Sequence, residues 1–256
     1  MKKLLLVFLM VGLITCLLVS CSVAPPTEGE GEGEGEGEEE VGRVVMVEAF
    51  TQANCANCAV VEPILEQLAG EYGRSGLEIV LVEERAYGIY SLDEIRDRYE
   101  WYIPSSADRG TPNILFNGLN QKIPGTSTYV TIKGKINLEL AKDAKIKITA
   151  TRNSDSTAAT TISGTIKNIS SSTLDSLVIN GMTFKDRGET GLKYSVTDIL
   201  EEQKETVATL EPESTHNFSF TLPADISWDI NNIHGVIFVQ DTNSSKKEIL
   251  QAFYVD

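Results

Sequence analysis

Apolar positions along this chain fall into four regimes. The first is a nearly unbroken apolar run, Leu4 to Val19, behind Lys2 and Lys3. The second, residues 22 to 42, has no apolar period and ends in alternating glycine and glutamate. In the third, Val44-Val45-Met46-Val47 reads as a short buried strand. It is followed by Val60, Val61, Ile64, Leu65 and Leu68 at helical spacing. Leu77 to Val82 gives a second strand after Gly70 and Gly73, and Glu83 to Tyr90 reads as a polar loop. Ser91-Leu92-Asp93-Glu94 is a capping box that opens a helix to about Tyr99. Ile114 to Phe116 is a short strand before an Asn117-Gly118 turn, and residues 126 to 140 predict a closing helix.

The fourth regime begins near Lys142. Seven short β-rich segments lie near residues 145–151, 158–166, 176–180, 206–210, 217–222, 235–240 and 248–255. Asn, Ser, Asp, Gly and Pro separate them, and several alternate, as in Ile146-Lys147-Ile148-Thr149-Ala150. Such a series predicts an all-β immunoglobulin-like sandwich over residues 143–256.

Composition changes this picture in two places. The formal charge of −15 leaves no basic stripe for phosphates, so nucleic acid is excluded as a partner. Eight glutamates fall between Glu28 and Glu40, so much of the acidity belongs to residues 21–42, a disordered Gly/Glu tether too polar to offset its ordering entropy. The apolar run over residues 1–20 is too short for a spanning helix and reads as a signal peptide. It ends in Leu18-Val19-Ser20-Cys21, which resembles the lipobox of bacterial lipoproteins. That resemblance implies a lipid on Cys21, a membrane partner through the anchor and a cell-envelope location, with Ser22 fitting an outer-membrane address; a plain secretory signal or an uncleaved anchor is the alternative.

The candidate chemistry lies at Cys55-Ala56-Asn57-Cys58, where the first predicted strand hands over to a helix. Helix-start amides and the helix dipole favour a thiolate there. With Pro63 inside the following helix and Thr111-Pro112 before a later strand, residues 43–142 resemble the thioredoxin-like family. The resemblance implies an α/β thioredoxin-like domain followed by the sandwich. The pair of domains is similar to a group of bacterial surface lipoproteins related to outer-membrane proteins. It further implies a thiol–disulfide oxidoreductase that needs no bound cofactor and no metal. Cys55 would be its nucleophile and Cys58 its resolving thiol. A cis Pro112 and Thr111 would dock the substrate backbone beside Ala56 and Asn57, and Glu48 would relay a proton. Its partners would be a protein thiol or disulfide substrate and a redox-recycling protein.

Blander readings stand beside each of these. The CxxC also reads as a structural staple in a binding or scaffold lipoprotein, Pro112 as an ordinary trans proline and Glu48 as a solvated strand-end carboxylate. A copper-handling protein is a third reading. Tyr87, Tyr90, Tyr99, Trp101 and Tyr102 suit either core packing or a peptide groove. His216 and His234 lack any companion ligand motif and read as strand residues.

Overall fold

The computed structural model describes residues 41–73, 78–154, 160–222 and 233–255. The expected signal peptide, Cys21 and most of the tether lie outside them. In chain order the elements are β1 (Val45–Gln52), α1 (Cys58–Glu71), β2 (Ile79–Tyr87), α2 (Asp93–Tyr102), β3 (Asn113–Phe116), β4 (Gln121–Pro124) and α3 (Tyr129–Leu140). Then come β5 (Ile146–Ser154), β6 (Thr160–Asn168), β7 (Leu174–Lys185), β8 (Ser195–Ile199), β9 (Glu205–Leu210), β10 (Thr215–Leu222), β11 (Ile233–Asp241) and β12 (Ile249–Val255).

These strands do not form two separate sheets divided near residue 142. One nine-stranded sheet runs β12-β11-β7-β8-β2-β1-β3-β4, with β9 beside β7, and faces a smaller sheet ordered β10-β6-β5. β1 and β2 are parallel, joined by α1, and β3 lies antiparallel to β1. The seam is at β8, which pairs with β2 on one side and β7 on the other.

The expectation of an α/β thioredoxin-like domain followed by an independent immunoglobulin-like sandwich is therefore corrected. The described chain is predominantly β, with three α-helices, and the described residues fall within one compact unit. The physical reason lies in the strands that the two halves share. Alternate residues of β7 and β11 serve different cores: Met182, Phe184, Val236 and Phe238 join the core of β1 and β2. Leu177, Ile179, Ile237 and Val239 face the small sheet through Ile148, Ile162, Phe218 and Phe220. A strand with period two that is apolar on both faces must be covered on both. Val236-Ile237-Phe238-Val239 is such a run, and all four are fully buried.

Local signals explain most of the elements. Thr128 caps α3 by accepting from the Thr131 N–H at 3.3 Å. Pro63 sits within the second turn of α1, where its missing N–H removes one helical bond. Asn117 and Gly118 both have positive φ, 48° and 70°, and open the connection between the paired strands β3 and β4. Gly118 has a second reason: a Cβ there would stand 2.1 Å from the Lys247 carbonyl oxygen.

Three elements depart from expectation. β2 extends through Tyr87, so Glu83, Glu84 and Arg85 are buried strand residues rather than a polar loop. α2 is capped at Leu92, while the Ser91 hydroxyl donates to the Gly88 carbonyl instead. β8 had no counterpart in the sequence reading.

Asn117 ties three strands together. Its side-chain oxygen accepts from the Met46 N–H at 2.8 Å, its own N–H donates to the Met46 carbonyl, and its carbonyl accepts from Ile249. Asn117→Ala would leave the buried Met46 amide unsatisfied and put alanine at positive φ. The loss is expected to be about 2 kcal/mol or more, measured as a shift in the urea midpoint without a change in slope.

Candidate functional site

β1 ends at Gln52, and Asn54 turns the chain in a left-handed conformation, φ 59°. Cys55 and Cys58 follow and are joined in a disulfide, their Cα atoms 5.2 Å apart. The Cys58 N–H donates to Cys55 Sγ at 3.1 Å, and Asn57 occupies the cap position of α1. Cys58 is 1% exposed, Cys55 is half-buried, and Ala56 and Asn57 are open to solvent. One sulfur is therefore accessible and the other is not.

The Thr111–Pro112 peptide is cis and faces this turn. The Thr111 carbonyl lies 3.6 Å from Cys55 Sγ, and the Thr111 hydroxyl donates to that sulfur at 3.7 Å. The sequence-predicted Cys55, Cys58, Thr111 and Pro112 are thus brought together, with Ala56 and Asn57 between the sulfurs. The supporting loop is held by Tyr99, whose hydroxyl donates to the Gly110 carbonyl at 2.7 Å. Tyr99 also stacks on Phe50 at 4.4 Å, and burial pushes its hydroxyl up to about 12. Of the aromatic stretch, Tyr99 and Tyr102 are core; Tyr87, Tyr90 and Trp101 are exposed.

Glu48 is placed differently from a strand-end carboxylate. It is fully buried in mid-strand and turns toward α2, accepting from Arg98 Nε at 2.6 Å and from the Tyr102 hydroxyl at 2.9 Å. His216 pairs with Glu205 at 3.2 Å on the small-sheet side, and His234 Nδ1 lies 2.5 Å from the Tyr254 hydroxyl.

The sequence reading missed the charged network under the disulfide turn. Arg85 donates to the Gln52 carbonyl at 2.8 Å and to the Gly191 carbonyl at 2.9 Å, and pairs with Glu62 of α1 at 3.2 Å. It thereby links the end of β1, the first turns of α1 and the segment entering β8. Glu66 accepts from the Gly191 N–H at 2.6 Å and pairs with Lys193 at 2.9 Å. Glu83 accepts from the Tyr194 N–H at 2.8 Å. Gly191 has to be glycine: φ is 78° and a Cβ would stand 2.2 Å from the Glu62 carboxyl carbon. The available signal was Ala86-Tyr87 beyond the charges, where apolar character resumes.

Burial pushes the Glu83 carboxyl up to about 8, against the hydrogen bond from Tyr194, and burial also raises Glu62. A raised folded-state value contributes stability that is complete below the ordinary carboxyl range and is lost as pH rises through the folded value. The urea midpoint is accordingly expected to fall as pH rises from the ordinary carboxyl range toward about 8. Glu83→Gln should make that decline shallower; an unchanged pH profile would count against a neutral Glu83 in the fold.

No protein-family model and no curated protein matches the chain. Among solved structures, HBP35 of Porphyromonas gingivalis aligns over 84% of this chain and 75% of its own, with a TM-score of 0.66 and 14% identity. A domain of the outer membrane lipoprotein Omp28 from Porphyromonas gingivalis aligns over 44% of this chain and 88% of its own, at a TM-score of 0.32 and 16% identity. A Bacteroides uniformis β-glucuronidase aligns over 43% of this chain and 12% of its own, at 0.28 and 16%. HBP35 shares the fold across both halves; the other two overlap too little to bear on it. The membership in the thioredoxin-like family read from spaced motifs is withdrawn, since the likeness is to the combined β-rich body.

Proposed function

We propose that this chain is a surface lipoprotein of the bacterial cell envelope that serves binding or scaffolding, with Cys55–Cys58 as a structural brace. The observation that carries this reading is the closed disulfide at the β1–α1 turn, with Cys58 buried and its N–H bonded to Cys55 Sγ. It fixes the point where a central strand becomes a helix. The leader ending in Leu18-Val19-Ser20-Cys21 supports a lipid anchor, with the acidic tether as spacer. An exported location suits a persistent disulfide.

One observation favours a second reading. Cys55 Sγ is accessible beside the Thr111 carbonyl, at the start of a 14-residue helix whose amides favour a thiolate. That arrangement suits thiol–disulfide exchange with an extended protein substrate and a redox-recycling partner. In that exchange a substrate thiolate attacks Cys55 Sγ, forming a mixed disulfide and releasing the Cys58 thiolate. Attack by Cys58 on Cys55 reverses this step; attack by a second substrate thiolate completes it, oxidising the substrate and reducing the pair.

The reduction potential of the pair separates the two. A structural brace is expected below about −300 mV, and an exchange centre between roughly −270 and −120 mV. On the first reading, replacing both cysteines by serine costs roughly 2 kcal/mol of stability, as closure of so short a loop implies. On the second, Cys55→Ser abolishes catalysed insulin reduction that the wild type performs.

A further inference from the structure

Glu48 and Glu84 lie on one face of the two central strands. Glu84 registers with Phe50, two residues along β1 from Glu48, so both carboxyls point to the α2 side. Both residues are fully buried. Glu48 has Arg98 and Tyr102 of α2 as partners. Neither oxygen of Glu84 accepts a hydrogen bond among the described residues. Two carboxylates would thus confront one guanidinium, which bonds Glu48 and makes no hydrogen bond to Glu84. An ionised carboxylate left without partners in such a place is costly, and a second negative charge beside it adds to that cost. A protonated Glu84 removes the second charge and donates to the Glu48 carboxylate.

The groups facing this pair come from two elements. α2 supplies Arg98 and Tyr102; β11 supplies the neutral Gln240, which donates to the Tyr102 hydroxyl at 2.7 Å. Burial, and then Glu48, holds the Glu84 carboxyl well above the ordinary range, with Arg98 opposing. Beside α2 lies a cavity of about 460 Å³ between that helix and the sheet, lined by Arg98, Trp101, Asn180 and Gln240. Its rim carries Glu94, Asp97, Glu201 and Lys204. The helix therefore has empty space along one flank; Ile95, Tyr99 and Tyr102 bury its other side against the core, and Arg98 ties it to Glu48.

We propose that Glu48 and Glu84 hold one proton between them and that this proton latches α2 onto the sheet, so that its loss to solvent loosens α2 and widens the adjoining groove. The device is independent of whether the disulfide is structural or exchanging. Its direction follows from linkage: the latched state binds one proton more than the open state, so opening is favoured as pH rises.

Amide hydrogen exchange of the full chain, expressed as protection factors corrected for intrinsic rates, tests this. The α2 amides are expected to lose protection by about tenfold per pH unit above the ordinary carboxyl range, the slope for one proton. Glu84→Gln, which keeps the shape and removes the proton, should flatten that slope, whereas Glu83→Gln, on the opposite face, should leave it. A flat wild-type profile, a slope surviving in Glu84→Gln, or a slope lost in Glu83→Gln would each overturn the latch. If Glu84→Gln does not fold, carboxyl-carbon NMR of the wild type decides: a Glu84 resonance titrating in the ordinary range contradicts the proposal, and one protonated beyond it supports it.

Discussion

Strands β1 and β2 are covered on both faces, and that constraint governs the rest of the molecule. From Val45 to Thr51 and from Ile79 to Ala86 their side chains are buried, so each polar group there calls for a partner from the elements packed on it. Glu48 finds Arg98 and Tyr102 on one side of the sheet. On the other side, Glu83 takes the Tyr194 N–H, and Arg85 takes Glu62 and two carbonyls. The charged triplet Glu83-Glu84-Arg85 thus dictates which helices and which loop must lie where. A buried pair of this kind adds little net stability over apolar packing, but breaking it is costly, so it specifies an arrangement more than it strengthens one.

The same logic joins the two halves. The segment entering β8 is drawn to Glu66, Glu83 and Arg85, and its arrival puts β8 beside β2. β7 and β11 then continue the sheet and offer a second apolar face to the small sheet. At the start of β1, Arg43 reaches Glu248 at 2.7 Å and the Ile249 carbonyl at 3.2 Å, which fastens the beginning of the folded chain to its last strand. Cys55 and Cys58 sit at the rim of this body, where the central strand ends and solvent begins.

Much of the local structure was legible in the sequence. The run Val44–Val47, the helix after Cys58 and the Asn117-Gly118 turn each carry their own short-range cause; the placement of Thr111-Pro112 beside the cysteines was an implication of the resemblance and has no local signal. What could not be read was the pairing of distant strands. Gly235 to Gln240 announces a strand buried on both faces, but nothing local says that its two faces serve different cores. Glu83 and Glu84 looked like loop residues because charge usually marks solvent; Tyr194, which donates to Glu83, and Glu48, on the same face as Glu84, are far away in sequence. β8, with Thr197 and Asp198 among its five residues, has too little apolar period to stand out. The motif-based family assignment failed for a related reason, since it treated one stretch of a shared sheet as a free-standing domain.

The account stands or falls on the continuity of the large sheet across β8. Residue-resolved hydrogen exchange in rising denaturant tests it most directly. If β1, β2, β7 and β11 belong to one cooperative body, their slowest amides will merge into a single opening with a common free energy and a common denaturant slope. Persistent protection of β1 to β3 after β7, β11 and β12 have exchanged would contradict it.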